Sequence, residues 1–377
     1  MNWKEVRRQF PVTEKYIYFD LANKCALPLF STNIISNYIN KQQEFSGSKD
    51  EWFEMINETR RNFAEMININ PAEIAFTKNT SEGLNIAANC LPLKAGDTVI
   101  LNENEHPNNV YCWLNLKKKG IDVKFAPTHH GEVLVEDLAK ITDKSTKVVA
   151  ISSVNYAPGI RNNIKEIAKY CKEQGIYSVI DAVQSIGTLN TDVSDFGADI
   201  LCTSGHKAMF CPHGVGVFYC RKELLNEIEP IYVARSGMGM SVQIEYGDII
   251  YELNNSPDAR KFEIGNYNYL GLSVFNESIK YLMAIGLDNV EKRILELNTY
   301  FVSRLTELGY DVASPLSGPK RSAIICFKSK NARELHQWLM DNKAITTLRR
   351  DMIRASLGIY NNEDDVDQFI RLIKDYN

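Results

Sequence analysis

The segment Ile200-Leu201-Cys202-Thr203-Ser204-Gly205-His206-Lys207 carries a lysine shortly after a short apolar run. An earlier segment, Ser178-Val179-Ile180-Asp181, ends a similar run with a carboxylate. Short continuous runs rich in Val and Ile are typical of strands that are buried on both faces of a parallel sheet. Ligands of such a sheet bind at the carboxyl ends of its strands. The two segments therefore predict an α/β fold with Asp181 and Lys207 at its functional edge.

Apolar runs alternate with helix-length segments through the middle of the chain. The other runs are Thr98–Leu101, Val123–Phe125, Val148–Ile151 and Val215–Phe218. The segments Asn108–Lys119 and Ile164–Gln174 each have one apolar face, which predicts amphipathic helices. Gly120 and Gly175 follow them, at the position where a left-handed residue often ends a helix. We expect a mostly parallel sheet covered by helices on both sides.

The pattern changes near Leu270, where helices become longer and strands fewer. The predicted helices are Ser273–Ile285, Leu287–Leu308, Ala332–Asn342 and Glu363–Tyr376, and the predicted strands are Ala323–Phe327 and Ile353–Leu357. These elements predict a smaller α+β C-terminal domain over residues 270–377. We expect a large domain over residues 18–269, and an N-terminal arm over residues 1–17 that packs on the small domain.

The composition is that of an ordinary globular protein. Of the 377 residues, 44% are hydrophobic and 24% are charged, which excludes a disordered or low-complexity chain. The formal net charge of −4 offers no strong cationic field, so nucleic acid is not an expected partner. Neither a secretory signal nor a membrane span is expected, because no apolar run is long enough. The eight Cys are scattered without a zinc-binding spacing, which favours reduced thiols in a cytoplasmic protein and no metal site.

Lys207 and Asp181 suggest a specific chemistry. A lysine at an enclosed strand end loses solvation, which lowers its pKa and makes the neutral amine available as a nucleophile. A lysine that forms a Schiff base, together with an aspartate that pairs with a pyridinium nitrogen, is the basic equipment for pyridoxal phosphate. The pair alone is also compatible with a structural salt bridge.

Four further features follow predicted strands or begin predicted helices. His106 could stack on a flat ring, and Thr80 and Ser81 begin a helix whose N-terminus could hold a phosphate. Gln184 and Asn155 could contact a phenolic oxygen. Each feature also has a purely structural interpretation: a core imidazole, a helix cap or a turn residue.

Together and in this order, these residues match a known family. From about Tyr18 to its C-terminus, the chain resembles the fold-type I pyridoxal phosphate enzymes, specifically the class V aminotransferase and cysteine desulfurase family. The matching stretches are Tyr18–Asn23, Asn79–Asn85, Glu105–Asn109, Asp181–Ser185, Ser204–Lys207, Phe262–Asn266 and Arg354–Leu357. The segments Asp-Ala-Val-Gln and Ser-Gly-His-Lys carry the most specific part of the resemblance.

The resemblance implies a role for each candidate residue. The catalytic residues would be Lys207 as the Schiff-base lysine and proton shuttle, Asp181 at the ring nitrogen and His106 on the ring face. The other cofactor-binding residues would be Gln184 and Asn155 near the 3′-oxygen, and Thr80, Ser81, Ser204, His206 and Asn266 around the phosphate. The substrate-binding residues would be Arg354, which clamps the α-carboxylate, Asn23 and Lys24.

The chain departs from the family pattern in two places. Desulfurases of the family carry a mobile loop with a nucleophilic Cys shortly before the arginine, whereas the segment 342–353 is short and lacks Cys. Gly265-Asn266 stands where the family often has Gly-Thr, whose hydroxyl reaches the partner subunit's phosphate. An amide can still donate, so we expect a homodimer with shared active sites. Lys24, Arg161 and Arg235 could give the pocket a second anionic contact or could be solvated surface cations.

The resemblance implies an enzyme that acts on an amino acid through external aldimine formation and α-proton abstraction by Lys207. We expect an aminotransferase, because the desulfurase Cys is missing. The alternatives are a Cys-independent carbon–sulfur lyase, which works by β-elimination, and an amino-acid epimerase. From other classes, a nicotinamide-dependent oxidoreductase is disfavoured because Gly214-Val215-Gly216 and Gly237-Met238-Gly239 lack the third glycine of the dinucleotide motif. A non-catalytic binding protein is disfavoured because Lys207 and Asp181 are both present.

Overall fold

The computed structural model describes residues 1–239 and 252–376. Within them the strands are β1 Ile17–Tyr18, β2 Ile74–Thr77, β3 Thr98–Asn102, β4 Asp122–Ala126, β5 Thr146–Ser152, β6 Tyr177–Asp181, β7 Ile200–Ser204, β8 Gly216–Cys220, β9 Ile324–Lys328, β10 Ala344–Ile345, β11 Thr347–Arg349 and β12 Met352–Ser356. The helices are α1 Trp3–Arg8, α2 Leu29–Phe45, α3 Lys49–Met66, α4 Thr80–Cys90, α5 Pro107–Leu114, α6 Val135–Ile141, α7 Ile164–Gln174, α8 Val193–Phe196, α9 Lys222–Leu225, α10 Tyr269–Ile285, α11 Leu287–Glu307, α12 Ala332–Asp341 and α13 Glu363–Tyr376.

A seven-stranded sheet forms the centre of the described fold, in the order β2-β8-β7-β6-β5-β3-β4. All neighbouring pairs are parallel except those of β8, which runs antiparallel to β2 and β7. The strands β3, β7 and β8 are buried along their whole length. Separate apolar clusters cover the two faces of the sheet. The predicted mostly parallel sheet between helical layers is therefore confirmed.

The helices between the strands end largely as the sequence predicts. Gly175, with φ of 66°, ends α7, and its N–H bonds the carbonyl oxygens of Cys171 and Lys172. The predicted helix over Asn108–Lys119 is shorter than expected, since α5 ends at Leu114 and a 3-10 turn continues over Asn115–Lys119. Three consecutive lysines in this turn leave only Leu116 to be buried there, and Gly120, with φ of 77°, ends it.

A second, antiparallel sheet of order β11-β12-β9 lies near the C-terminus and is accompanied by α11, α12 and α13. The predicted smaller α+β unit is therefore present. Helix α10 begins at Tyr269, before its predicted start at Ser273, and its Phe275 ring packs 5.6 Å from the ring of Phe63 in α3. The boundary between residues 269 and 270 stays a prediction.

The first residues of the chain contact the C-terminal helix. Arg7 donates to both carboxylate oxygens of Asp365 at 2.6 and 2.8 Å. The ring of Phe10 lies between those of Tyr360 and Phe210, with centroids 4.8 and 5.0 Å away.

None of the helices in the described part of the chain has the length and apolar character needed to cross a bilayer.

Candidate active site

A cavity of about 350 Å³ opens at the carboxyl edge of the main sheet. Its walls come from the residues that follow successive strands: Thr80 and Ser81 after β2, His106 after β3, Val154 and Tyr156 after β5, Asp181 and Gln184 at the end of β6, and His206 and Lys207 after β7. The hairpin of β11 and β12 closes the remaining wall with Arg349 and Arg354. The cavity therefore lies where the strand ends of a parallel sheet predict a ligand.

Lys207 faces this cavity and is otherwise surrounded by protein. Burial is the main cause that lowers the pKa of its amine to about 8; Asp181 opposes this shift, and Arg354 and Arg349 contribute to it. Its Nζ makes no hydrogen bond or ion pair with the described residues. At this pKa about a tenth of the amine is neutral at pH 7, far more than for an ordinary lysine, and this fraction is free to react with a ligand in the cavity.

Asp181 is buried at the end of β6, and one of its oxygens is held by the main chain. The N–H of Val183 donates to Oδ1 at 3.0 Å. Oδ2 has no hydrogen-bond partner among the described residues, although the residue lines the cavity. Burial raises the pKa of this carboxyl, and neither the Val183 hydrogen bond nor the charge of Lys207 outweighs it. A protonated nitrogen in the cavity would supply the missing partner of Oδ2.

Polar groups converge at the start of α4. The Thr80 hydroxyl donates to Ser204 Oγ at 3.0 Å, and Ser204 Oγ lies 3.0 Å from His206 Nδ1. The ring of His206 stacks on that of His213 at 4.8 Å. Burial, Lys207 and His213 lower the pKa of His206 to about 4, so its imidazole is neutral. The first N–H groups of a helix have no acceptor within the helix, and this terminus therefore suits an anion such as phosphate.

His106 lies at the edge of the cavity, directly before α5. It caps α5, because its Nδ1 accepts from the N–H of Asn108 at 3.2 Å. Its ring meets that of Tyr156 edge to face at 5.1 Å. Burial and the positive charges of Lys207, Arg349 and Arg354 lower its pKa to about 4. His106 is therefore neutral and can present an imidazole face to an aromatic ring.

Glu105 precedes His106 and connects the segment after β3 to the end of β5. It accepts from the N–H of Ser152 at 2.7 Å, the Ser152 hydroxyl at 2.6 Å and the amide of Asn109 at 2.9 Å. Burial raises its pKa to about 7, against these hydrogen bonds. From the sequence, the motif Glu-His-Pro predicted only that Glu105 is a polar residue after a strand.

The remaining candidate residues differ in whether they line the cavity. Gln184 lines the cavity and donates to the carbonyl oxygen of Ala22 at 3.0 Å. Asn155 is fully buried outside the cavity, where its amide nitrogen, turned toward the loop, lies 2.8 Å from the Gly131 carbonyl oxygen. Its side chain therefore supports the loop and does not line the cavity. Asn266 is exposed in a neighbouring groove that shares Lys78 and Gly214 with the cavity.

Lys24, Arg161 and Arg235, which the sequence offered as a second anionic contact, do not line the cavity. Asn23 does line it, and donates to Asp20 at 2.9 Å, but the exposed Lys24 does not. Arg161 forms an ion pair with Glu291 at 2.6 Å. Arg235 is exposed in a short 3-10 turn.

The second arginine of the cavity is Arg349, which sequence reasoning did not assign. In the hairpin, Thr347 pairs with Arg354 and Arg349 pairs with Met352. The buried Arg354 donates to the Tyr156 carbonyl oxygen at 2.9 Å, and its pKa is lowered to about 10 by burial and by Arg349. The alternation of side chains along a strand could have placed Arg349 on the same face as Arg354, once the turn at Arg350 and Asp351 was recognised.

None of the eight Cys lines the cavity. Six are buried, and the two partly exposed ones are Cys25 and Cys90. Burial raises the pKa of the Cys25 thiol to about 12, so it carries little thiolate. The turn of the β11–β12 hairpin, where Arg350 has φ of 56°, leaves no room for a long loop before Arg354.

The residues present fit pyridoxal 5′-phosphate. A carboxylate oxygen without a partner faces the cavity beside an unpaired amine, and a helix N-terminus with hydroxyl groups lies at the same edge. Lys207 and Asp181 would hold the reactive end and the ring, and Thr80, Ser81, Ser204 and His206 the phosphate. The fold and this site define a pyridoxal phosphate-dependent enzyme of fold type I.

Comparison with known proteins narrows this class to a family. The family model described as aminotransferase class-V matches residues 26–369. An uncharacterized aminotransferase of Schizosaccharomyces pombe is 29% identical over 98% of this chain and 94% of its own length. A probable cysteine desulfurase of Pyrococcus abyssi is 31% identical over 99% of this chain and 97% of its own. The structure of apo cysteine desulfurase from Thermococcus onnurineus superimposes with a TM-score of 0.90 at 26% identity, covering 99% of this chain and 97% of that one. The chain belongs to the class V aminotransferase family, which also includes the cysteine desulfurases, and its cofactor is pyridoxal 5′-phosphate.

Proposed function

We propose that the protein is an aminotransferase that moves the amino group of an α-amino acid. The observation that carries the proposal is the wall formed by β11 and β12. There a tight hairpin presents arginines to the cavity, in the place where desulfurases of the family have a loop that carries a thiol. The reactive groups within reach of a substrate are the amine of Lys207, the carboxylate of Asp181 and the imidazole of His106. These groups move and hold protons, and none of them accepts sulfur.

Each residue has a task that its environment supports. The cofactor, when bound, supplies an aldehyde that condenses with amines and a ring that accepts electrons. The neutral amine of Lys207 would take the proton from the substrate Cα and deliver it to the cofactor carbon that carries the substrate nitrogen, which is the proton transfer that transamination requires. Arg354 binds the α-carboxylate and so directs the Cα proton toward Lys207. Asp181 Oδ2 would keep a proton on the ring nitrogen, and the His106 imidazole would cover one face of the ring.

The test is a panel of amino acids offered with 2-oxo-acid acceptors, with mass spectrometry of both products and Lys207→Ala as the inactive control. Appearance of a new 2-oxo acid together with the aminated acceptor supports the proposal. Release of ammonia, with or without sulfide, and no aminated acceptor would instead identify a β-eliminating lyase. Loss of optical activity without new products would identify an epimerase.

Cysteine as substrate distinguishes the desulfurase reaction. We expect no protein-bound persulfide during incubation with cysteine, as measured by persulfide-selective labelling and peptide mass spectrometry. A variant with all eight Cys replaced by Ala or Ser, if it is folded by circular dichroism, should retain most of its activity on the true substrate. A trapped persulfide, combined with an inactive Cys-free variant, would identify the protein as a desulfurase and contradict the proposal.

The proposal includes a homodimer in the cytoplasm. Ile231, Tyr232 and Ile264 are large apolar side chains that are 50%, 71% and 47% exposed, and all three line one groove beside α4. Ile264 also lines the groove that contains Asn266. A second copy on this surface would bring Asn266 close to a neighbouring cofactor site. The eight unpaired thiols are consistent with a reducing compartment.

A further inference from the structure

The hairpin of β11 and β12 presents two arginines to the active-site cavity. Side chains alternate between the two faces of a strand, and Thr347 lies directly opposite Arg354. Arg349, two residues beyond Thr347, therefore lies on the same face as Arg354 and on its diagonal. Diagonal neighbours in such a pair are roughly 7–8 Å apart at the backbone, so two long side chains can converge on one small molecule.

Within residues 1–239 and 252–376, neither arginine has an anionic partner. No carboxylate of the described residues forms an ion pair with Arg349 or Arg354, and the buried Nε of each lacks a hydrogen-bond partner. The contacts that do exist only orient them. Arg349 donates to the Leu348 carbonyl oxygen at 3.3 Å, and its guanidinium lies 5.9 Å from the centroid of the Tyr156 ring. The carbonyl oxygen of the same Tyr156 receives the hydrogen bond from Arg354.

Two unpaired cations at the wall of one cavity are costly unless a ligand neutralises them. The phosphate-binding end of the cavity, at Thr80 and Ser204, is built from a different element, the start of α4. An α-carboxylate held by both of its oxygens in a bidentate pair with Arg354 leaves Arg349 without an anion of its own. The second arginine therefore calls for a second negative charge on the substrate.

We infer that Arg349 is a specificity-determining residue that binds a side-chain carboxylate, so that the substrate is an acidic amino acid. This inference rests on the proposed function for the reaction, but it concerns the substrate class alone. Arg354 binds the α-carboxylate and Arg349 the distal one. Arg349 also borders a larger cavity of about 1090 Å³ beyond Tyr156, which leaves room for a side chain longer than that of aspartate.

The kinetic test compares aspartate and glutamate with their neutral isosteres asparagine and glutamine. Wild-type protein should prefer the acids in kcat/KM by at least about tenfold, the effect of one charge-assisted contact. Arg349→Gln should raise KM for the preferred acid by about 10- to 100-fold and leave the amide substrates nearly unchanged. Arg349→Lys should recover part of the preference. Arg333→Gln, at an exposed position of α12 away from both cavities, is the control and should behave as wild type.

A binding test separates this inference from the reaction. Calorimetry of the purified holoenzyme should show that succinate or glutarate binds more tightly than propionate, and that Arg349→Gln removes the difference. If dicarboxylates show this behaviour but no amino group is transferred, the aminotransferase proposal fails and the acidic subsite stands. If transamination occurs but acids and amides react equally well, or Arg349→Gln keeps the preference, the subsite is refuted and the aminotransferase stands.

Discussion

The environment of Lys207 disfavours the charged form of its amine. It lines the same cavity as Arg349 and Arg354, and only Asp181 favours its protonation. This balance leaves about a tenth of the amine neutral at pH 7 without any help from a neighbouring imidazole, since His106 and His206 are themselves neutral.

The reactivity of Lys207 should therefore depend on pH in the range where ordinary lysines remain charged. In the cofactor-free protein, reductive methylation of Lys207 should rise with pH and reach half its maximum near pH 8, because the neutral amine is the reactive form. Peptide mass spectrometry after brief labelling measures this rate site by site. Exposed lysines in the same digest are the control, with half-maxima near about pH 10.4. A Lys207 curve that coincides with theirs would contradict the proposed environment.

Asp181 offers a second test at the same scale. Asp181→Asn keeps the size of the side chain but cannot hold a proton on a ring nitrogen as a carboxylate does. We expect the holoenzyme to retain its visible absorbance while kcat falls by about 100-fold or more. The exposed Asp195 provides the control, since Asp195→Asn should leave both quantities unchanged. Full turnover by Asp181→Asn would remove this carboxylate from the mechanism.

At the scale of elements, α4 is held close against β7, and this contact positions the end of the cavity that we propose for the phosphate. A Cβ added at Gly83 would lie 2.9 Å from Cys202 Sγ and 3.3 Å from Cys202 Cβ. A glycine is therefore needed where the helix crosses the strand that leads to Ser204 and Lys207. Close packing of the helix against the strand therefore explains Gly83, and no direct contact between Gly83 and a ligand is needed.

Gly83→Ala should destabilise the protein by about 1–3 kcal/mol, the usual cost of overpacking a core. Because the clash is mainly with the sulfur, the double variant Gly83→Ala/Cys202→Ala should lose less than the sum of the two single variants. Urea unfolding measures all three free energies of unfolding. Lys172→Ala, on the exposed side of α7, should change stability by less than about 0.5 kcal/mol. Strictly additive losses would show that Gly83 and Cys202 do not interact.

At the scale of the whole molecule, the apolar surface around Tyr232 lies beside the groove that contains Asn266. Sedimentation should show a homodimer, and Tyr232→Asp should shift it toward monomer because a charge would be buried at the interface. Leu316→Asp, a change at another exposed apolar residue near the C-terminal sheet, is the control and should leave the dimer intact. A monomer with full activity would exclude a site completed by a partner subunit.

The amino-acid sequence by itself determined the parallel sheet and the residues at its functional edge. Lys207, Asp181 and His106 could be predicted because each follows an apolar run, and a run that forms a buried strand fixes where its next residues lie. The helix end at Gly175 is local in the same way. Thr80 and Ser81 follow from the start of one helix, and no distant contact is needed to place them.

Only the tertiary structure decided which other side chains reach the cavity. Arg349 is brought there by a hairpin turn and by the approach of the C-terminal sheet to Tyr156, a contact between residues far apart in the chain. Asn155 follows a strand as Asp181 does, but the loops at Gly131 and Ile160 draw its amide away from the cavity. Lys24, Arg161 and Arg235 were equivalent candidates in the sequence, yet the fold leaves two exposed and pairs the third with Glu291. The physical reason is that strands and helix ends depend on neighbouring residues, whereas the composition of a cavity wall depends on how distant elements pack together.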